Sequence, residues 1–145
     1  MTFPRSYHAG FNQGLNFAEA VNFAPLDWLN MGRQSIADYA SLHRFPVFSH
    51  DELICKMADD PKVLDIRLAE AAYEDAITML ECEKTLRIEI LNLGIIHTQR
   101  NFFEKLEDDS RQCDHCKTTT FLSALKCQCE NINSKFFFKF FLLYL

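Results

Sequence analysis

The sequence predicts a mostly α chain with a short β part at its start. Three observations carry that reading: large and small side chains alternate over residues 5–23, apolar residues follow helical spacing from about 28 to 93, and cysteines cluster after the last helix. At 145 residues the chain is about one domain long and can bury a core.

The β part comes first. A strand from Arg5 to Asn12 turns Tyr7, Ala9 and Phe11 to one side and His8, Gly10 and Asn12 to the other. The bulky face suits a core. The second face is polar, and its glycine leaves space of the kind a bound ion or small molecule occupies. Gln13-Gly14 offers a turn, after which Asn16 to Phe23 alternates again. Phe17, Val21 and Phe23 line one face there, and Asn16, Ala18, Ala20 and Asn22 the other. Two such strands suggest the wall of a barrel with a pocket inside. On that wall His8 has two readings, a hydrogen-bonded strand histidine or a ligand.

Pro25 closes the β part, and Asp27 is a candidate N-cap for a helix over "WLNMGRQSIADYASLHR", with Trp28, Met31, Ile36, Tyr39 and Leu42 near helical spacing. Gly32 weakens that helix. Pro46 breaks the run, and Ser49 with Glu52 forms the capping-box pattern that opens a second helix carrying Leu53, Ile54 and Met57. Within "SHDEL", His50 and Glu52 also have the spacing of an iron-binding facial triad. At a helix N-terminus that spacing spreads the two side chains about 200° apart, and the cap already explains the stretch. The longest helix is expected from about Val63 to Leu93, with Leu68, Ala72, Leu80, Leu86, Ile90 and Leu93 as its apolar stripe, an outer face rich in Glu, Lys and Arg, and Gly94 as its stop. A short helix from Thr98 to Leu106 follows, and the acidic "EDDSRQ" leads into the cysteines.

Those cysteines are Cys113, Cys116, Cys127 and Cys129, within "CDHCKTTTFLSALKCQC". Cys-x2-Cys is a zinc-knuckle spacing in which two thiolates from one turn reach one tetrahedral ion, and Cys-x-Cys can supply two more. Zinc is favoured over structural thiols. Cys55 and Cys82 sit in helical patterns and read as buried small hydrophobes.

A net charge of -5 and a pI near 5.5, with no basic stripe, argue against a nucleic-acid surface. The start lacks the continuous apolar stretch of a secretory signal, so the expected setting is intracellular, where cysteines serve metals rather than disulfides. The final "NINSKFFFKFFLLYL" departs from the rest in composition. Its apolar run of about ten residues is short of the roughly 20 a membrane helix needs. The run is an aggregation hazard if exposed. Its bias toward Phe, Lys, Asn and Ile resembles translated AT-rich non-coding sequence, and it is expected not to belong to the domain.

"TFPRSYHAGFNQGLNFAEAVNFAPLDWL", "VFSHDELICKMA" and "QCDHCKTTTFLSALKCQC" resemble, in order and spacing, the end of the JmjC domain and the start of the zinc finger in the lysine-specific demethylase 5 family. The resemblance covers residues 2–130. It implies two C-terminal strands of a JmjC jelly roll over 1–25, a helical domain over 26–108, a truncated zinc finger over 109–130 and a non-family tail over 131–145. It further implies a nuclear iron(II)- and 2-oxoglutarate-dependent dioxygenase that demethylates lysine 4 of histone H3, with the histone H3 tail and chromatin complexes as partners, and no membrane. By the same resemblance His8 is an iron ligand, Asn12 and Ala20 belong to the 2-oxoglutarate pocket, Cys113 and Cys116 serve one zinc, and Cys127 and Cys129 a second.

The departures from the family pattern are informative. The family's other two iron ligands and its 2-oxoglutarate lysine lie upstream, whereas seven residues precede His8 here. The four later zinc ligands are missing where the Phe-rich stretch begins. Thr120 stands where the family usually has cysteine, at a position outside the eight ligands. The chain is therefore expected to be an internal fragment of a demethylase, inactive alone, with both cysteine pairs closing on a single zinc. The alternative is a non-catalytic helical zinc-binding interaction module.

Overall fold

A computed structural model describes residues 2–126 and the backbone of 137–138. Three helices dominate it: α1 (Trp28–Ser41), α2 (His50–Asp59) and α3 (Ile66–Asn92). The first two pack against the third and against each other. Leu29, Ile54 and Met79, one from each helix, meet at the centre, ringed by Trp28, Cys55, Met57, Leu68, Ala71, Ala76 and Leu122. Full burial of such a side chain contributes roughly 1.5–3 kcal/mol, so this small apolar centre is what holds the bundle together.

The helix ends follow local chemistry. At α2 the Ser49 side chain accepts from the Glu52 N–H, as the capping pattern predicts, in an extended conformation. The α1 start differs. Asp27 occupies the N-cap position with a helical backbone and no side-chain cap, and a turn through Pro25 and Leu26 carries the first bonds instead, Trp28 N–H to Pro25 O and Leu29 N–H to Leu26 O. That helix also stops at Ser41, three residues short of the expected end, because His43 takes a left-handed φ of 52° and its N–H turns back to Ala40 O. The α3 stop at Gly94 is as expected: its φ is 82°, its N–H reaches Leu91 O, and Ile95 N–H reaches Ile90 O, the two bonds of a Schellman ending.

Three expectations need correction. Within α3, Leu80 and Leu93 are 52% and 69% exposed, whereas Met79 is buried. The inner stripe therefore runs one residue away from Leu80. The helix expected over 98–106 is only a 3-10 turn at Phe103–Lys105, since its apolar residues are too few to cover a longer amphipathic face. Cys82 is exposed, and only Cys55 packs on the core.

Residues 6–23 form no strand. Tyr7, Phe11, Phe17 and Val21 are each more than 80% exposed, so the bulky face found in the sequence has nothing to cover it here. Two strands without neighbouring sheet leave their ladder groups to water, and an isolated hairpin is marginal there. An ion pair from Arg5 to Asp38 ties this segment to α1.

After α3, a 3-10 turn at Asp108–Arg111 precedes the cysteine turn, and Gln112 bridges Thr119 antiparallel. The described strands are short: Leu125–Lys126 pairs antiparallel with Phe137–Phe138, Leu125 opposite Phe138. Among the described residues no helix is long and apolar enough to cross a membrane.

Candidate functional site

His8, Asn12 and Ala20 all lie exposed on the extended N-terminal segment. Asn16 donates from its side-chain amide to Asn12 Oδ1 at 2.7 Å, which turns that amide pair across the bend at residues 13–15. Among the described residues no three His, Cys, Asp or Glu side chains converge as a metal site. His8 alone therefore does not fit an iron site with the residues around it, because a facial triad needs two further ligands.

The cysteine turn is better organised. Cys113 and Cys116 are both buried. Cys113 N–H reaches Thr118 O at 2.8 Å, Lys117 N–H returns to Cys113 O at 2.9 Å, and Lys117 takes a left-handed φ of 64° to close the loop. The Cys116 N–H points at Cys113 Sγ at 3.4 Å, and the Cys116 sulfur lies 3.0 Å from Thr118 Oγ1. Burial pushes the Cys116 thiol up, against hydrogen bonds from Thr118 that favour its thiolate, the form that ligates zinc. Two thiols on one tight turn fit half of a tetrahedral zinc site. Cys127 and Cys129, the other half of the expected set, lie outside the described residues.

Thr120, the departure at a usual cysteine position, is fully buried, and both its N–H and its hydroxyl bond Arg111 O, at 2.7 and 2.6 Å. Thr120 thereby ties the cysteine turn to Arg111.

A third feature escaped the sequence reading. Arg33 of α1 donates to Asp51 of α2 and, at 2.7 Å, to Asp75 of α3, and His50 Nε2 lies 2.8 Å from the second Asp75 oxygen. A carboxylate accepts, so His50 carries its proton on Nε2, leaving the buried Nδ1 without a partner. That nitrogen faces Gly32, where a β-carbon would stand 2.7 Å from it and 2.7 Å from the Trp28 ring. Gly32, which weakens α1 by propensity, is what lets α2 approach. A second ion group joins Glu52 of α2 to Lys56 and to Arg111, which also binds Asp108. "SHDEL" is therefore a cap and a junction at once, with His50 and Glu52 turned to different partners rather than to a shared ion. A signal was present: Asp75 falls on the inner line of α3 with Leu68, Ala72 and Met79, where an apolar residue belongs.

These carboxylates titrate low. Burial pushes the Asp75 carboxyl up, but hydrogen bonds from His50 and Arg33 and their nearby charge outweigh it and hold it below the usual range. Glu52 is held low in the same way, with burial opposed by Lys56 and Arg111. Both folded values lie below the unfolded ones, so their stabilisation is present above roughly pH 4, the unfolded carboxylate range, and is lost as pH falls through the folded values. Unfolding in urea at a series of pH values is expected to show stability falling steadily below about pH 5, and Asp75→Asn is expected to flatten that fall. A profile unchanged by the substitution would place the acid sensitivity elsewhere.

Comparison with known proteins gives a consistent set of matches. The family described as "Lysine-specific demethylase 5, C-terminal helical domain" matches residues 27–81, which contain α1, α2 and the first half of α3. The chain is 52% identical over 130 residues to lysine-specific demethylase 5B of Gallus gallus, and 56% identical over 127 residues to lysine-specific demethylase 5D of Pan troglodytes and of Homo sapiens. These matches cover 88–90% of this chain but 8% of each relative. The chain thus spans under a tenth of the length of the curated relatives it matches.

Proposed function

The chain belongs to the lysine-specific demethylase 5 family, and on that premise we propose that it is a segment of an iron(II)- and 2-oxoglutarate-dependent demethylase acting on methylated lysine 4 of histone H3 in the nucleus. The extent of the match carries this reading, since the aligned 127–130 of the chain's 145 residues extend well beyond the helical stretch at 27–81. In this reading His8 is one of three iron ligands, and Asn12 and Ala20 line the 2-oxoglutarate pocket. Iron held by His8 and two further ligands would, with 2-oxoglutarate, supply the oxidation that removes a methyl group. The residues described here do two other things. The bundle meets the chain just ahead of His8 through the exposed Arg5–Asp38 ion pair, and the Cys113 turn begins a zinc module docked on α2 through Arg111.

Residues 2–130 exchanged for the matching stretch of the chicken demethylase test the proposal. The chimera is expected to release formaldehyde from a lysine-4-methylated histone H3 peptide, and His8→Ala within it to abolish release. A folded chimera with no activity, or one indifferent to His8→Ala, would sink the enzymatic reading. The 145-residue chain alone is expected to release none. Its cysteines are proposed to share a single zinc through Cys113, Cys116, Cys127 and Cys129, checked by native mass spectrometry of serine variants. Zinc retained in Cys113→Ser but lost in Cys127→Ser would disprove sharing.

The non-catalytic reading, a helical zinc-binding interaction module, draws on one observation: the bundle has its own core and caps without any contribution from residues 6–23. An inactive chimera that still folds and binds zinc would favour it.

A further inference from the structure

The face of α3 turned away from α2 is not the charged surface that its composition suggests. Ile66, Tyr73, Ile77 and Leu80 are 84, 66, 39 and 52% exposed. At 100° per residue all four fall within about 40° of one line along the helix, a stripe of roughly 20 Å. Lys84 interrupts that line on its C-terminal side. One flank is acidic: Glu70, Glu74 and Glu81 stand along it, exposed, and among the described residues none is in an ion pair. Beyond Glu70 and Glu74 the surface drops into a groove between α1 and α3 of about 530 Å³, floored by Leu26, Leu29 and Ala71. Asp27 and Asp75 bring its carboxylates to four, of which Arg33 and Arg67 offset two.

We propose that this stripe docks an amphipathic helix of a partner protein whose apolar side chains repeat at helical spacing and whose neighbouring flank carries Lys or Arg. The apolar line supplies area for such a helix to bury, and the acids on one flank fix the sign of the partner's charge. The groove beyond them gives long cationic side chains room to lay their stems while their heads meet Glu70, Glu74 and Asp27. A second copy of this chain is a poor occupant. Two-fold antiparallel pairing sets each flank against the same flank of its copy, which brings glutamates against glutamates in a chain of net charge -5.

The test uses the full chain and two synthetic helical peptides sharing a leucine stripe, one flanked by lysines and the other by glutamates. Fluorescence anisotropy is expected to show the lysine peptide binding at least about tenfold tighter, with affinity falling as salt rises. Glu70→Lys with Glu74→Lys is expected to reverse that preference, and Tyr73→Ser with Ile77→Ser to abolish binding of both peptides, while circular dichroism shows the helices intact. The substituted positions are exposed, so folding is not at stake. Equal binding of both peptides, binding of neither, or a concentration-dependent dimer that the lysine peptide does not dissociate would each overturn the proposal.

Discussion

Asp75→Ala is expected to destabilise the chain by about 3 kcal/mol, the lower end of the range for breaking a buried ion pair by removing one partner. The residue sits between Arg33 and His50, and its side chain is 10% exposed while that of His50 is 4% exposed. Removing the carboxylate leaves His50 Nε2 and Arg33 Nε without an acceptor, beside Arg33 Nη2, which already lacks one, and His50 Nδ1, which lacks a donor. Unpaired buried donors lose their full solvation, which is why the loss exceeds the net worth of the bonds. Asp75→Asn keeps one acceptor oxygen and is expected to lose about half as much. Urea unfolding followed at the helical circular-dichroism band measures both. A loss under about 1 kcal/mol for the alanine variant would mean that water replaces the carboxylate and that the network is not sealed.

Ile54→Ala is expected to have a similar or larger effect, about 3–4 kcal/mol, from lost transfer energy plus the cavity left behind. Ile54 is fully buried at the bundle centre, between Leu29 and Met79 and the residues that ring them. A domain's whole margin is about 5–15 kcal/mol, so the alanine variant is expected to show a markedly lower melting temperature and a broadened transition. Ile54→Val removes a single methyl group and should lose about 1 kcal/mol. Finding the two variants equal would show that the site collapses around the missing atoms.

Much of the helical architecture could be read in advance, and the reason is local. Ser49 with Glu52, and Gly94 after a long apolar period, are signals that act within a few residues and owe nothing to distant packing. What was misread depended on distant partners. Leu80 and Met79 are adjacent in sequence and both apolar, and only the position of α2 decides which one turns inward. Asp75 was invisible as a junction because its partners stand 42 and 25 residues away. The N-terminal alternation predicts two strands and residues 6–23 form none, because the pattern specifies a strand only where another strand accepts its hydrogen bonds. Of the candidate site residues, Cys113 and Cys116 are brought together because two residues of spacing suffice. His8, Asn12 and Ala20 are not gathered around a centre here.

Arg111 gives the cysteine turn and the helical bundle a shared fate. Its guanidinium grips Glu52 on α2, while its carbonyl receives two bonds from Thr120 behind the Cys113 turn. Loosening either half disturbs the other through this residue, so the two are expected to unfold together rather than as beads on a string. Thermodynamic reciprocity then applies: whatever tightens the cysteine turn is expected to stabilise the helices by the free energy they share, and whatever frays α2 to loosen the turn.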